Sequence, residues 1–234
     1  MKLVKTVTNK PIRYVINTHY HFDHVDGNKA FGQQNTPIIA HKNLRARLSK
    51  DQTISGSGYG PIVQNAYPRE GLPTIVFNDS MELDDEKESI RIIHFPNAHT
   101  DGDAIVHFKN ADIYHTGDIF VTYGLPVIDE NSSGDIYGMI RTINYLLSVS
   151  NSETMFIPGH GPICTVKELT TYSKLLTSIK DQVVTMIKKG LPVERIINEV
   201  TIDKNVDGVD KSQFISHVYR MALKHEKISN KNAK

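Results

Sequence analysis

The sequence predicts an α/β fold, in which strands and helices alternate along a chain of 234 residues. Short apolar runs recur along the chain, and several of them end in a loop that contains His or Asp. Apolar residues at helical spacing appear in the second half, most clearly in residues 137–149 and 166–188. No internal repeat or interdomain linker is visible, so we predict one domain over residues 1–234.

The first two thirds of the chain carry the short elements. Residues 24–31 predict a short helix or turn, and residues 43–49 predict a helix with basic outer positions. Residues 53–67 are rich in Gly, Ser and Pro and lack periodicity, which predicts a long loop of the kind that often serves as a lid. Residues 84–88 predict a charged turn. Strands are predicted at residues 12–18, 37–40, 74–77, 89–95, 103–108, 113–115 and 155–157.

The last third predicts helices. Residues 166–188 form a long amphipathic pattern, and Gly190 and Pro192 follow it as stop signals. Two further helices are predicted at residues 192–200 and 213–224.

Composition narrows the possible classes of protein. The chain is 39% hydrophobic and 23% charged with a net charge of +1, so it lacks the basic footprint of a nucleic-acid binder. No apolar run approaches the roughly 20 residues of a membrane span. Cys164 is the only cysteine, which excludes an intrachain disulfide and a cysteine-rich zinc site. No signal peptide is visible, so we expect a soluble, cytoplasmic protein that binds a small molecule, not nucleic acid or a membrane.

Residues 18–24, Thr-His-Tyr-His-Phe-Asp-His, are the most informative segment. Three imidazoles and one carboxylate directly follow an apolar run, where a tight loop can aim them at one point. His and Asp together suit Zn²⁺, or Fe or Mn as second choices, better than Ca²⁺ or Mg²⁺.

Three later segments repeat the form of an apolar strand followed by a polar residue. They lead to His99, to Asp118 and to His160, each with a nearby Gly. Taken singly, each residue could be a hydrogen-bonded strand end, a turn aspartate or part of a tight turn. Together with the first cluster they supply enough ligands for two metal ions.

This pattern resembles the metallo-β-lactamase-fold superfamily of metallohydrolases over about residues 12–162. The family's H-x-H-x-D-H motif matches His19, His21, Asp23 and His24, and its later ligands match His99, Asp118 and His160. The chain looks most similar to the branch that includes quinoprotein-associated and β-lactamase-like hydrolases. The resemblance implies an αββα sandwich, with the metal-binding core in residues 12–162 and C-terminal helices in residues 163–227.

The resemblance also implies a dinuclear zinc site. His19, His21 and His99 would hold one ion; Asp23, His24 and His160 would hold the other; and Asp118 would bridge them. A hydroxide shared by the two ions would attack a small ester, thioester, lactone or β-lactam. Asp23 would also be catalytic, orienting the nucleophile and moving its proton.

Two features depart from the family pattern. Only about a dozen residues precede the motif strand, so the first strands of the N-terminal half look missing. That loss would expose a sheet edge, which favours a homodimer, and it would also remove any signal peptide. In addition, Asp26 stands where Gly commonly follows the motif.

Other functions remain open at this stage. Asp118 resembles glyoxalase II-type dinuclear hydrolases more than true β-lactamases, which often carry Cys or Ser there. The same scaffold can hold iron for redox chemistry, although flavodiiron proteins have a carboxylate where His21 stands. A metal-binding protein without turnover is the third alternative, and a nuclease is disfavoured by the neutral charge.

The remaining histidines and tyrosines have plainer interpretations. We expect His41 to cap a helix or lie on the surface. His94, His107 and His115 should be packed within strands, and His217 and His225 should lie on the C-terminal helices. The loop tyrosines that could border a pocket are Tyr59, Tyr67 and Tyr123.

Overall fold

The first half of the chain alternates short helices and short strands. A computed structural model describes residues 2–56, 60–85 and 87–232, without the side chains of residues 2–4, 85 and 226–232. The elements are α1 (Lys2–Val7), β1 (Val15–Ile16), α2 (Phe22–Val25), α3 (Asn28–Gly32), β2 (Ile38–His41), α4 (Lys42–Leu48), β3 (Gln52–Ile54), β4 (Ile62–Gln64), a 3-10 turn (Arg69–Gly71) and β5 (Ile75–Phe77).

The second half supplies longer strands and helices. They are β6 (Ser80–Asp85), β7 (Glu88–His94), β8 (Ala104–Phe108), β9 (Ile113–Val121), a 3-10 turn (Glu130–Ser132), α5 (Ile136–Val149), β10 (Met155–His160), β11 (Cys164–Thr165), α6 (Val166–Lys188), α7 (Val193–Glu199) and α8 (Lys211–Asn232).

Two sheets form the centre of the fold. The small sheet has the order β1-β2-β5 and is parallel. The large sheet has the order β11-β10-β9-β8-β7-β6 and is antiparallel except for the parallel pair β9 and β10. Strands β3 and β4 pair separately as a hairpin.

Burial on alternate faces of each sheet defines four layers. Ile39 of β2 packs with Ile92 and Val106 of the large sheet, so these side chains lie between the sheets. Ala40, the next residue of β2, packs with Leu44 of α4 on the outer face of the small sheet. The outer face of the large sheet contacts α5, α6 and α8 through the largest apolar cluster. The fold is therefore the predicted αββα sandwich.

Sequence signals explain the long helices. Helix α6 begins with a capping box, in which Thr165 and Glu168 satisfy each other's backbone N–H groups. Its buried residues Leu169, Leu176 and Val183 recur every seven positions on one face. No helix in the described part of the chain is long and apolar enough to cross a membrane.

The structure corrects several predicted elements. The predicted loop at residues 53–67 contains the β3–β4 hairpin, because Ile54 and Ile62 pair across it and turn inward while Val63 faces solvent. Its strands have three residues each, too few to show periodicity in the sequence. Strand β6 was missed, and the predicted turn at 84–88 is only the tip between β6 and β7. Strand β1 is also shorter than predicted. That strands are missing before β1 stays a prediction.

Candidate metal centre

The first half of the site follows β1. His19 and His21 lie in the loop that leaves this strand, and Asp23 and His24 lie on the short helix α2. The side chains of His19 and His21 are buried, at 1% and 5% exposure for the whole residue. Residues this polar are rarely so buried without partners, which indicates a site that organises them.

The other three predicted residues come from the large sheet. His99 lies in the loop between β7 and β8, and His160 is the last residue of β10. Asp118 lies within β9 and not in a loop after it, which corrects the prediction. Gly117 has a φ of 53°, and the pairing of β9 with β10 shifts register here, so the strand continues past an irregularity that re-aims Asp118.

A second glycine lets the two parallel strands come together at the site. A Cβ atom on Gly159 would lie 1.9 Å from Oδ1 of Asp118. Only a residue without a side chain allows β10 to pass this carboxylate, so Gly159 fixes where Asp118 can sit.

All seven predicted residues converge. The structure brings His19, His21 and His99 together, with ligand atoms within 4.8 Å of one another. A second group joins Asp23, His24 and His160, and Asp118 lies between the groups. Its Oδ1 is 3.1 Å from Nε2 of His24 and its Oδ2 is 3.8 Å from Nε2 of His99.

The spacing within the second group matches ligands of one ion. Nε2 of His160 lies 3.1 Å from Oδ2 of Asp23 and 3.3 Å from Nε2 of His24. Ligand atoms around a tetrahedral zinc with bonds of about 2.0–2.1 Å lie about 3.3 Å apart. These separations would let one ion bind all three groups.

Hydrogen bonds outside the cluster fix the ring tautomers. Nε2 of His21 donates to Oδ2 of Asp129 at 3.3 Å, because an ionised carboxylate can only accept. Nδ1 of His99 donates to the carbonyl oxygen of Val127 at 2.8 Å. Each ring thus turns its unprotonated nitrogen toward the cluster.

This arrangement places two lone pairs face to face. Nδ1 of His21 and Nε2 of His99 lie 3.0 Å apart, and neither carries a proton in these tautomers. Nε2 of His19 is buried and has no hydrogen-bond partner. Between neutral rings such a contact is repulsive unless a proton or a metal ion lies between the nitrogens, so the donor set fits a bound metal ion.

The histidine pKa values differ between the two groups of candidate ligands. Burial lowers the pKa of His99 to about 4, and burial with repulsion from His24 lowers the pKa of His19. Burial also disfavours the charged form of His24, but contact with Asp118 and Asp23 outweighs it and raises its pKa to about 9. In the metal-free protein these shifts favour neutral His19 and His99 at pH 7, while His24 holds a proton beside two carboxylates.

Asp129 was not predicted as a site residue. This fully buried side chain accepts hydrogen bonds from Tyr20, His21, Ser55, Asn131 and Ser132. Burial raises its pKa, but these hydrogen bonds outweigh that effect and hold the carboxyl ionised. It follows the short apolar run Val127-Ile128 and belongs to no recognised motif, so only its acidic character beside apolar residues could have signalled it.

The acidic residues near His99 have other partners. The carboxylate of Asp103 accepts from the backbone N–H groups of His99 and Thr100 and so shapes the loop, and the backbone carbonyl oxygen of Asp103 accepts from Nδ1 of His94. Asp101 pairs with Arg47 at 2.7 Å. Asp26, the unusual residue after the motif, accepts a hydrogen bond from the hydroxyl of Tyr67.

The remaining predicted residues fall into two sets. His41 caps α4 by accepting from Asn43, as expected, but it is 2% exposed and stacks on His94 at 3.6 Å, so it is not a surface residue. Tyr123 lines a cavity of about 490 Å³ that opens onto the histidine–aspartate cluster, whereas Tyr67 does not line it. Tyr59 lies outside the described residues.

Comparison of sequences finds hydrolases. A profile described as the metallo-beta-lactamase superfamily matches residues 2–166. A probable metallo-hydrolase from Methanocaldococcus jannaschii is 31% identical over 160 residues, which is 66% of this chain and 72% of that protein. A hydroxyacylglutathione hydrolase from Pelagibacter ubique is 25% identical over 139 residues, covering 59% of this chain and 48% of that protein.

Comparison of structures finds the same fold. An inverting sec-alkylsulfatase from a Pseudomonas species superposes with a TM-score of 0.67 at 14% identity, over 94% of this chain and 42% of that one. A metallo-beta-lactamase from Pontibacter korlensis superposes with a TM-score of 0.60 at 17% identity, over 76% and 74%. This chain therefore spans less than half the length of two of the relatives that it matches, the alkylsulfatase and the hydroxyacylglutathione hydrolase.

Proposed function

This chain belongs to the metallo-beta-lactamase superfamily, and from that membership we propose that it is a dinuclear zinc hydrolase. Its substrate would be a small ester, thioester, lactone or β-lactam. The superfamily and the metallohydrolase relatives support hydrolysis as the class of reaction. The identity and number of the ions, and the bond that is cleaved, are parts of the proposal.

The seven clustered residues would hold the two ions. His19, His21 and His99 form one ligand set, in which the tautomers fixed by Asp129 and Val127 leave bare nitrogens facing inward. The second set consists of Asp23, His24 and His160, and Asp118 would bridge the two. Nitrogen and carboxylate ligands in this ratio suit Zn²⁺, and Fe or Mn could also be bound.

Each residue of the site has a separate task in hydrolysis. When bound, two divalent ions supply a strongly acidified water and polarise the electrophile. Asp23 is the most exposed carboxylate of the cluster, with 38% of its side chain accessible, so it can orient the attacking water and accept its proton. Burial opposes ionisation of Asp118, but the neighbouring imidazoles, among them the protonated His24, outweigh it and lower the pKa of Asp118, which would keep the two ligand sets together.

One observation carries the proposal. Two buried imidazole nitrogens lie 3.0 Å apart beside a third buried nitrogen without a hydrogen-bond partner, and the outward hydrogen bonds of the first two rings leave their inner nitrogens bare when the rings are neutral. A structural histidine cluster would place a donor against an acceptor, whereas this one places acceptors together.

Elemental analysis joined to an activity panel tests the proposal. The purified protein should contain about two equivalents of zinc. Hydrolysis of thioesters, esters, lactones or β-lactams should disappear after chelation and return with added zinc. His21→Ala should abolish activity. His225→Ala should preserve it, because the described contacts of His225 are with Asp135 and Tyr137. Full activity in metal-stripped protein would overturn the proposal.

A further inference from the structure

We propose that the cavity beside the metal centre binds an uncharged, apolar chain, so that the substrate is an ester, thioester or lactone with an aliphatic acyl group. This inference rests on the proposed function and narrows it. Hydrolysis would add water across the acyl C–O or C–S bond and release an acid together with an alcohol or thiol. Substrates with a carboxylate at the far end of the acyl chain would be disfavoured.

The lining of the cavity divides into two kinds of surface. Four of its ionisable side chains belong to the metal centre, namely His21, Asp23, Asp118 and His160. The fifth is the neutral phenol of Tyr123. The other side chains are apolar, namely Phe22, Ile54, Ile62, Val127 and Val209. At about 490 Å³ the cavity is large enough for a small organic ligand.

No Lys or Arg among the described residues lines this cavity. Two arginines of nearby helices are paired with carboxylates outside the lining. Arg47 of α4 pairs with Asp101 at 2.7 Å, and Arg220 of α8 pairs with Glu130 at 2.6 Å. The sequence between Gly56 and Gly60 is Ser-Gly-Tyr and adds no basic residue. A carboxylate at the far end of the acyl chain, away from the proposed ions, would therefore lose its water without gaining an ion pair.

The apolar wall is fixed in place. Ile54 and Ile62 face each other in the β3–β4 hairpin, which is tied to the site at both strands. The backbone N–H of Ser55 donates to Asp129 at 2.9 Å, and Gln64 donates to the carbonyl oxygen of Tyr20 at 2.9 Å. A wall held by buried hydrogen bonds is preorganised, so little ordering opposes the binding of an apolar chain.

The dependence of kcat/KM on acyl chain length tests the proposal. Burial of each methylene group should raise kcat/KM about fourfold until the cavity is filled. The zinc-loaded protein is assayed with p-nitrophenyl acetate, butyrate, hexanoate and octanoate. A matched series carries a terminal carboxylate on acyl chains of the same length. We expect a steep rise in the first series, and at least a tenfold lower kcat/KM for each carboxylate than for its neutral match.

Two lysine variants test whether the preference for neutral acyl chains arises in this cavity. Ile62→Lys places a cation in the cavity, and Val63→Lys places one on the solvent side of the same strand, where Val63 is 71% exposed. Ile62→Lys should lower kcat/KM for the octanoate at least tenfold and raise it for the matched carboxylate. Val63→Lys should change neither. Ile62→Ser, which adds no charge, should flatten the chain-length dependence if the lysine variant fails to fold.

A binding measurement separates this inference from the proposed function. In metal-free protein, the neutral probe N-phenyl-1-naphthylamine should bind and be displaced by 1-octanol, but not by octanedioate. Failure to bind the probe, or chelator-sensitive hydrolysis that is independent of chain length, would overturn the apolar cavity and leave the hydrolase intact. Probe binding without hydrolysis of any substrate would overturn the hydrolase and leave the cavity assignment intact.

Discussion

Replacement of Asp129 with Asn tests how a buried carboxylate prepares a metal ligand. Oδ1 of Asp129 accepts from the backbone N–H groups of Ser55 and Asn131, which can only donate. The amide oxygen of Asn must therefore take that position, and its NH₂ group must take the position of Oδ2. There it would donate to Nε2 of His21, so the ring proton would move to Nδ1, the atom that faces His99.

The size of the effect follows from the bonds that change. The NH₂ group has two hydrogens for the three partners of Oδ2, so after it donates to His21 one of the Tyr20 and Ser132 hydroxyls accepts a neutral hydrogen bond and the other loses its bond, at a cost of about 1 kcal/mol each. The free energy of unfolding of the metal-free protein should thus fall by about 2 kcal/mol. Because Nδ1 of His21 must lose its proton before it can bind an ion, zinc affinity should fall about 10- to 100-fold.

Three measurements check this prediction. Urea denaturation of the metal-free protein gives the stability change, and competition with a chromophoric chelator gives the zinc dissociation constant. Long-range ¹H–¹⁵N NMR of the imidazoles identifies the tautomer of His21. Ser132→Ala is the matched control: it removes one donor to Asp129 but leaves the carboxylate, so it should lower stability and preserve both the tautomer and the affinity.

The reasoning would be refuted if Asp129→Asn bound zinc within threefold of the original protein. It would also be refuted if His21 kept its proton on Nε2. A loss of affinity of equal size in Ser132→Ala would show that general loosening of the site, and not the tautomer, sets the affinity.

Further predictions concern the metal and its ligands. Gly159→Ala should weaken zinc binding, measured by chelator competition, at least tenfold because the new Cβ would clash with Asp118. Gly27→Ala is the control: its Cβ would have its nearest contact at 3.6 Å, so the zinc affinity should not change. Zinc must displace the proton of His24, whose pKa is about 9. The zinc affinity should therefore rise about tenfold per pH unit from pH 7 and level off above pH 9. An affinity that does not change with pH would show that His24 is not a ligand. Zinc at 1,000 times its dissociation constant should raise the free energy of unfolding by about 4 kcal/mol, and a thermal midpoint that is insensitive to zinc and to chelator would contradict the site.

Local pattern was enough to find the seven clustered residues. Four of them lie within the six residues 19–24 of one motif. His99, Asp118 and His160 each follow an apolar run and have a Gly nearby. Asp129 was beyond reach, since its partners Tyr20 and Ser55 are far from it in sequence and meet it only through the tertiary fold. Its importance depends on long-range contacts that leave no periodic signal.

The longest helix was predicted most accurately, whereas the strands of the β3–β4 hairpin were not predicted. The 23-residue helix α6 has a repeating buried face, a cap and stop signals, and its predicted bounds are confirmed. The strands β3 and β4 have three residues each and are held by pairing and by hydrogen bonds from Gln64 and Ser55. Short strands of this kind are set by tertiary contacts, so their sequence resembles that of a loop.

The β3–β4 hairpin has a thermodynamic consequence. It forms the apolar wall through Ile54 and Ile62, and through Ser55 it shares the acceptor that fixes His21. An apolar molecule that stabilises the hairpin therefore also stabilises the position of His21. By thermodynamic linkage, a metal ion bound to His21 must stabilise binding of the apolar molecule by the same free energy. Zinc occupancy and the affinity for an apolar chain should then rise together, so that the loaded protein holds its substrate more tightly than the metal-free protein does.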